Sequence, residues 1–272
     1  MDVGGPIYRV LRDEVRAGRP VAVCTVVAVR EGGAETPLGA KLLVRPGHVP
    51  LGSFGDAELD RVVARDAEAV LALGRSEERS VGRRGEHGAH DVTYFVESHA
   101  PPPHLVLVGA ADVTRALVRL GRLLGYRTTV CDPRATFTTA ARFPEAHEVV
   151  VDWPDRYLTS AALDERSVVC VLTHDERIDV PALVAALRSP AGYVGAMGSR
   201  RTTSDRIRRL LEAGVDQGDV DRISAPIGLD LGSTTPEETA VSILAEVIAR
   251  RNQRAGAPLA GGDGPLHGPS PS

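Results

Sequence analysis

Four stretches beyond residue 104 set polar and charged side chains beside small residues, the combination that binding and proton transfer require. Thr173-His174-Asp175 follows the apolar run Val168 to Leu172. A His and an Asp beyond the carboxyl end of a strand are placed for polar recognition or proton transfer. His174 and Asp175 are therefore the candidate catalytic pair, and Thr173 a candidate ligand contact. The plainer alternative is a loop in which Asp175 only caps a turn.

Gly195-Ala-Met-Gly-Ser-Arg-Arg201 is a glycine-rich turn between an expected strand and an expected helix. Free backbone N–H groups at Gly198, the Ser199 hydroxyl and the guanidinium groups of Arg200 and Arg201 would make an anion site. Two arginines at a helix start face an unfavourable dipole that an anion would relieve; otherwise they are simply solvated. Pro226-Ile-Gly-Leu-Asp-Leu-Gly232 is a second such turn. Gly228 and Gly232 permit backbone conformations closed to other residues. Asp230 could accept from the N–H edge of a ring, or could satisfy local backbone donors.

Gly109 follows the run Leu105 to Val108, and Asp132 lies about twenty residues on, the arrangement of a dinucleotide fingerprint. The second and third glycine positions of that fingerprint hold Ala111 and Thr114. A methyl group obstructs close approach of a pyrophosphate, threonine is bulky where helix and strand should meet, and Asp112 adds negative charge at the helix start. Gly109 and Asp132 are thus either nucleotide contacts or a turn retained for folding.

These residues need a scaffold. Strands are expected at Leu105 to Val108, Arg127 to Cys131, Glu148 to Val151, Val168 to Leu172 and Tyr193-Val194, with helices at Val113 to Leu124, Pro181 to Leu187 and Arg200 to Leu211. Thr235-Pro236-Glu237-Glu238 reads as a capping box opening a last helix to about Arg251. Strand–helix alternation implies a doubly wound parallel sheet, an α/β Rossmann-like domain over residues 104–252. Before it, residues 1–98 read as a small α+β domain. Its elements are a helix at Ile7 to Ala17, strands at Val21 to Val29, Lys41 to Val44 and Val92 to Val96, a loop marked by Gly32, Gly33, Pro37 and Gly39, and a helix at Leu59 to Leu73. Prolines mark a linker at residues 99–103. Residues 253–272, rich in Gly, Pro and Ser, are expected to be disordered.

Composition narrows the function classes. A net charge of −4 gives no bulk electrostatic case for nucleic acid or an anionic membrane. Lys41 is the only lysine, so the arginine bias is global and marks no site. No apolar run approaches the ~20 residues that span a bilayer, and no leader pattern is visible; a soluble cytoplasmic protein is expected. Cys24, Cys131 and Cys170 are widely separated and have no metal-ligand spacing.

The stretches VLTHDERIDVPAL (171–183), YVGAMGSRRTTSDRIRRL (193–210) and PIGLDLGSTTPEETAVSILAEVIARR (226–251) resemble the C-terminal domain of the XdhC/CoxI family, and the resemblance covers Leu105 to Arg251. ETPLGAKLLV (35–44) and LGSF (51–54) fit the N-terminal pattern of that family more weakly. The resemblance implies a Rossmann fold and a chaperone that matures a molybdenum hydroxylase of the xanthine dehydrogenase or carbon monoxide dehydrogenase type. Such a protein binds the molybdenum cofactor (molybdopterin, or its dinucleotide form), holds it during sulfuration and passes it to the apoenzyme. A cysteine desulfurase is a candidate partner, and a homodimer the default assembly. Two family cysteines are missing: the corresponding segments are Gly55 to Asp60 and the surroundings of Gly88. A thiolate is the natural soft ligand for molybdenum or carried sulfur, so the loss bears on sulfur handling. Two other functions remain open: an NAD(P)-dependent oxidoreductase, and a non-catalytic paralogue that only docks on a molybdoenzyme.

Overall fold

The computed structural model describes residues 5–30, 36–83, 85–86 and 90–261. Gly32, Gly33, Glu35, Gly88 and the tail from residue 262 lie outside the described residues. The chain divides into two compact units, the first ending at Pro101 and the second beginning at Pro102.

The first unit contains α1 (Pro6–Arg16), β1 (Val21–Val29), β2 (Lys41–Val44), β3 (Leu51–Gly52), α2 (Ala57–Ala72), β4 (Glu77–Val81) and β5 (Val92–His99). The strands form an antiparallel sheet in the order β3-β2-β1-β5-β4. Alternation along β1 supplies both faces. Ala22, Cys24 and Val26 pack under α2, while Val21 and Val23 pack with Ile7, Val10 and Leu11 of α1. That two-sided burial explains the unbroken apolar run. Ser98 and His99 continue β5, paired with Ala22 and Val21, so the strand runs into the stretch expected as linker.

The second unit contains β6 (His104–Val108), α3 (Asp112–Leu123), β7 (Arg127–Cys131), β8 (Glu148–Val150), α4 (Pro154–Ser160), β9 (Val168–Val171), α5 (Glu176–Arg188), β10 (Tyr193–Ala196), α6 (Arg200–Glu212), α7 (Gln217–Val220), β11 (Ile223–Ser224) and α8 (Pro236–Arg251). All six strands are parallel, in the order β8-β7-β6-β9-β10-β11. Leu105 and Leu107 of β6 pack toward α3 and α8, and Val106 and Val108 toward α5 and α6. A strand covered by helices on both sides must be apolar at every position, as β6 is. Burying each of these side chains contributes about 1.5–3 kcal/mol.

Helix α5 begins at Glu176, five residues before the start expected at Pro181. Pro181 lies inside the helix, where a proline costs about 3 kcal/mol; the Asp175 cap and a buried ion pair at Asp179 hold the turn that precedes it. The capping box of α8 forms as the sequence indicates. Thr235 Oγ1 accepts from Glu238 N–H at 3.1 Å, and the Glu238 carboxylate accepts from Thr235 N–H at 3.1 Å. The start of the expected tail is held in place, since Arg254 N–H donates to the Ala249 carbonyl at 2.8 Å.

Candidate functional site

In sequence order within the second unit, the sheet reads 3-2-1-4-5-6, and its connections reverse direction between β6 and β9. Ligands of open parallel sheets bind outside the carboxyl ends of the strands at that reversal. A cavity of about 520 Å³ lies there, lined among others by Ala110, Ala111, Arg134, Phe137, Arg142 and His174. A cavity of about 420 Å³ between α3 and α8 is more apolar, and a groove of about 930 Å³ runs along α4 and α5. Neither is at the strand ends, where the polar side chains converge.

Gly109 leaves β6 at φ +111°, and a Cβ there would stand 3.1 Å from Thr173 N. The glycine is required because the ends of β6 and β9 approach backbone to backbone. Thr114 is accommodated: its hydroxyl donates to the Gly109 carbonyl at 2.6 Å and accepts from Ala111 N–H at 3.2 Å. The altered glycine pattern is thus stitched by a side chain. It also uses up an N–H group that could have faced a phosphate.

Asp132, the second candidate nucleotide contact, is completely buried. Its Oδ2 accepts from Ala110 N–H at 2.9 Å and from Arg134 Nη2 at 2.6 Å; its Oδ1 accepts from Arg134 N–H and Nε, both at 2.9 Å. Burial opposes ionisation, but the Arg134 guanidinium and the two backbone donors outweigh it and hold the carboxyl below its ordinary range. Asp132 therefore braces the loop and orients Arg134; it presents no free oxygen to a ligand.

Asp175 is likewise committed to bonds within the chain. It is the N-cap of α5, accepting from Arg177 N–H at 3.1 Å and pairing with the Arg177 guanidinium at 2.7 Å. The Arg177 guanidinium bond, reinforced by its backbone N–H and opposed by burial, lowers its pKa to about 2. It is ionised throughout the neutral range and has no proton to exchange there. Thr173 is buried, and its hydroxyl accepts from Asp175 N–H at 2.8 Å. All three residues line the cavity, and His174 is the most exposed of them.

Ser199 caps α6 through Thr202 N–H at 3.2 Å. Arg200 and Arg201 open that helix, exposed, and neither guanidinium has a partner among the described residues. Beneath this turn lies a pair that sequence reading missed. Arg206 of α6 bonds Asp179 of α5 at 2.9 Å and the Met197 carbonyl at 3.0 Å, and each of the two side chains is 4% exposed. A sequence signal exists: Asp179 adjoins Ile178 and lies three residues before Ala182 on the apolar face of α5, and Arg206 lies four before the buried Leu210. Burial raises the Asp179 pKa against the opposing pull of Arg206.

Gly228 is needed for packing. At φ +103°, a Cβ would stand 2.5 Å from Ser242 Oγ of α8, and its N–H donates to Glu246 at 2.6 Å. Asp230 is exposed and bonds no local backbone donor among the described residues. Gly232, at φ +68°, borders the apolar cavity between α3 and α8. The structure thus gathers Gly109, Thr173, His174 and Asp175 at one crevice. Gly198 to Arg201 follow β10, the next strand along the edge, and Gly228 to Gly232 follow β11 beyond it.

Cys24, Cys131 and Cys170 are all buried. Burial, reinforced by nearby carboxylates, pushes the thiols of Cys24 and Cys131 up to about 12, and that of Cys170 higher still.

A six-stranded parallel sheet in this order, with a polar crevice at the reversal, defines a nucleotide-type Rossmann domain. The chain belongs to the XdhC and CoxI family: residues 105–247 match the XdhC Rossmann domain and residues 14–82 match the XdhC and CoxI family model. It is 30% identical to the uncharacterized protein YqeB of Escherichia coli over 87% of this chain and 44% of that one. It is 28% identical to a probable xanthine dehydrogenase subunit from Bacillus subtilis over 61% of this chain and 48% of that one. The chain thus spans about half the length of these two relatives. With the molybdenum cofactor insertion chaperone PaoD of E. coli it shares 26% identity over 90% of this chain and 88% of that one. The crystal structure of a xanthine dehydrogenase from Bacillus halodurans, 19% identical, has a similar fold, with a TM-score of 0.51 over 94% of this chain and 98% of the other. Among the described residues no helix is long and apolar enough to cross a membrane.

Proposed function

We propose that this protein is a chaperone that binds the molybdenum cofactor and delivers it to a molybdenum hydroxylase apoenzyme. The observation that carries the reading is the near full-length likeness to the insertion chaperone PaoD. The site suits such a cargo. A pyranopterin carries a phosphate and a flat polar ring. Arg200 and Arg201 at the α6 start, without partners among the described residues, offer charge for the phosphate. His174 and Asp230, on neighbouring loops of the same sheet edge, offer polar groups for the ring.

Sulfuration of the cargo belongs, on this reading, to a partner such as a cysteine desulfurase. All three thiols of the chain are buried and protonated at neutral pH, so none of them suits carriage of sulfur. The NAD(P)-dependent alternative loses its main support with Asp132, whose oxygens are committed to the loop.

The test is purification of the protein with molybdenum cofactor present, measuring pterin fluorescence and molybdenum in the eluted peak. We expect stoichiometric retention, and at least tenfold weaker retention in the Arg200→Ala, Arg201→Ala double variant. No retention by the natural chain, or equal retention by the variant, overturns the reading. Light scattering on the same peak reads the oligomeric state, for which a homodimer is expected.

A further inference from the structure

The crevice at Gly109 is armed differently from the loops after β10 and β11. Its glycine loop has little left for an anion: Ala110 N–H is taken by Asp132 and Ala111 N–H by Thr114. Two arginines stand in instead, with an exposed aromatic ring between them. Arg134 lies 5.4 Å from the centre of the Phe137 ring and Arg142 lies 5.8 Å from it. Phe137 is 46% exposed although it lines a cavity.

Each member is held. Arg134 is gripped through Nε and Nη2 by the buried Asp132. Arg142 donates to Asp112 at 3.2 Å and also lies over the buried Phe143. The loop carrying Arg134 and Phe137 is closed by Thr138, whose hydroxyl donates to the carbonyls of Asp132 and Arg134 at 3.1 and 3.0 Å. Two guanidinium groups beside an aromatic ring on the wall of a cavity, Arg142 held by one hydrogen bond to the exposed Asp112, fit a ligand that combines a flat ring with a phosphate.

We propose that Arg134, Phe137 and Arg142 form a subsite for the nucleoside monophosphate part of a ligand, with the base stacked on the Arg134–Phe137 planes and the phosphate paired with Arg142. The inference rests on the proposed function in taking that ligand to be the dinucleotide form of the cofactor. Its pterin half then lies over β9 to β11 and its nucleotide half over β6 and β7. Strand spacing puts β7 about 14 Å from β10, so the cargo lies along the sheet edge.

Equilibrium binding of CMP, GMP and AMP, with ribose 5-phosphate and inorganic phosphate as base-free probes, tests the subsite without any molybdenum. At least one nucleotide should bind tenfold or more tightly than ribose 5-phosphate. Phe137→Ala and Arg142→Ala should each weaken that nucleotide at least tenfold, Phe137→Tyr should retain it, and the distant Arg208→Ala should leave it unchanged. Unfolding midpoints of each variant, expected to match that of the natural chain, check that the fold is intact. Nucleotides that bind no better than inorganic phosphate, or a Phe137→Ala variant that binds like the natural chain, overturn the subsite. That failure is distinct from failure of the proposed function, which is read by cofactor retention.

Discussion

Asp179 and Arg206 form a buried ion pair between α5 and α6, 2.9 Å apart, at the root of the two loops that follow β9 and β10. The pair also reaches the Met197 carbonyl through Arg206, so one guanidinium ties the middle of α6 to the residue that follows β10. Removing one partner strands a charge in the interior. Arg206→Met should cost about 3–5 kcal/mol in urea unfolding. The double variant Asp179→Leu, Arg206→Met should recover most of that loss, because two apolar groups leave no orphan. A double variant as unstable as the single one would show that the pair acts through something other than its charges.

Thr114 provides a sharper test of the altered glycine loop. Thr114→Gly restores the residue a dinucleotide fingerprint expects, yet it should destabilise the protein by about 1–3 kcal/mol. The loss follows from leaving the Gly109 carbonyl and the Ala111 N–H without their hydroxyl partner. Unchanged stability in denaturant titration would mean that the hydroxyl bonds contribute nothing.

Much of this loop could be read in the sequence, but its chemistry could not. The position of Gly109 after an apolar run marked the turn, and the runs Val21–Val29, Lys41–Val44 and Arg127–Cys131 appear as strands with the bounds expected of them. Strand β4, Glu-Glu-Arg-Ser-Val, escaped because an edge strand half open to water carries charges rather than an apolar pattern. The roles of Asp132 and Asp175 escaped for another reason. Whether a carboxylate faces a ligand or bonds the arginine two residues on depends on side-chain direction, and spacing is silent about that. Both turned inward or back onto the chain, at Arg134 and Arg177.

The Asp175 carboxylate should leave a mark on acid stability. Its folded pKa, about 2, lies below its ordinary 3.8. Its ionised form therefore stabilises the fold fully above the ordinary value, and that contribution is lost as pH falls toward 2. Asp175→Asn keeps a capping side chain and should differ from the natural chain mainly by a weaker decline of stability below pH 4. Asp175→Ala should lose about 1 kcal/mol near neutral pH as well, through the missing cap. Identical acid limbs in unfolding curves of the Asn variant and the natural chain would rule this out.

The cysteines predict a reactivity pattern. A disulfide exchange reagent at pH 8 should leave the native protein unmodified over minutes and count three thiols in denaturant. Rapid reaction of one thiol in the native state would contradict the burial of Cys24, Cys131 and Cys170. It would also reopen the chain itself as a sulfur carrier.

The contact between Gly109 and Thr173 constrains how this crevice can diverge. Because the backbone of Leu172 and Thr173 meets Gly109 at its base, a larger residue at position 109 has little room there. Related chains that came to accept different cargo would have to do so at the rim, where His174, Arg134, Phe137 and Arg142 stand. The floor acts as a fixed gauge, and the walls are where side chains set selectivity.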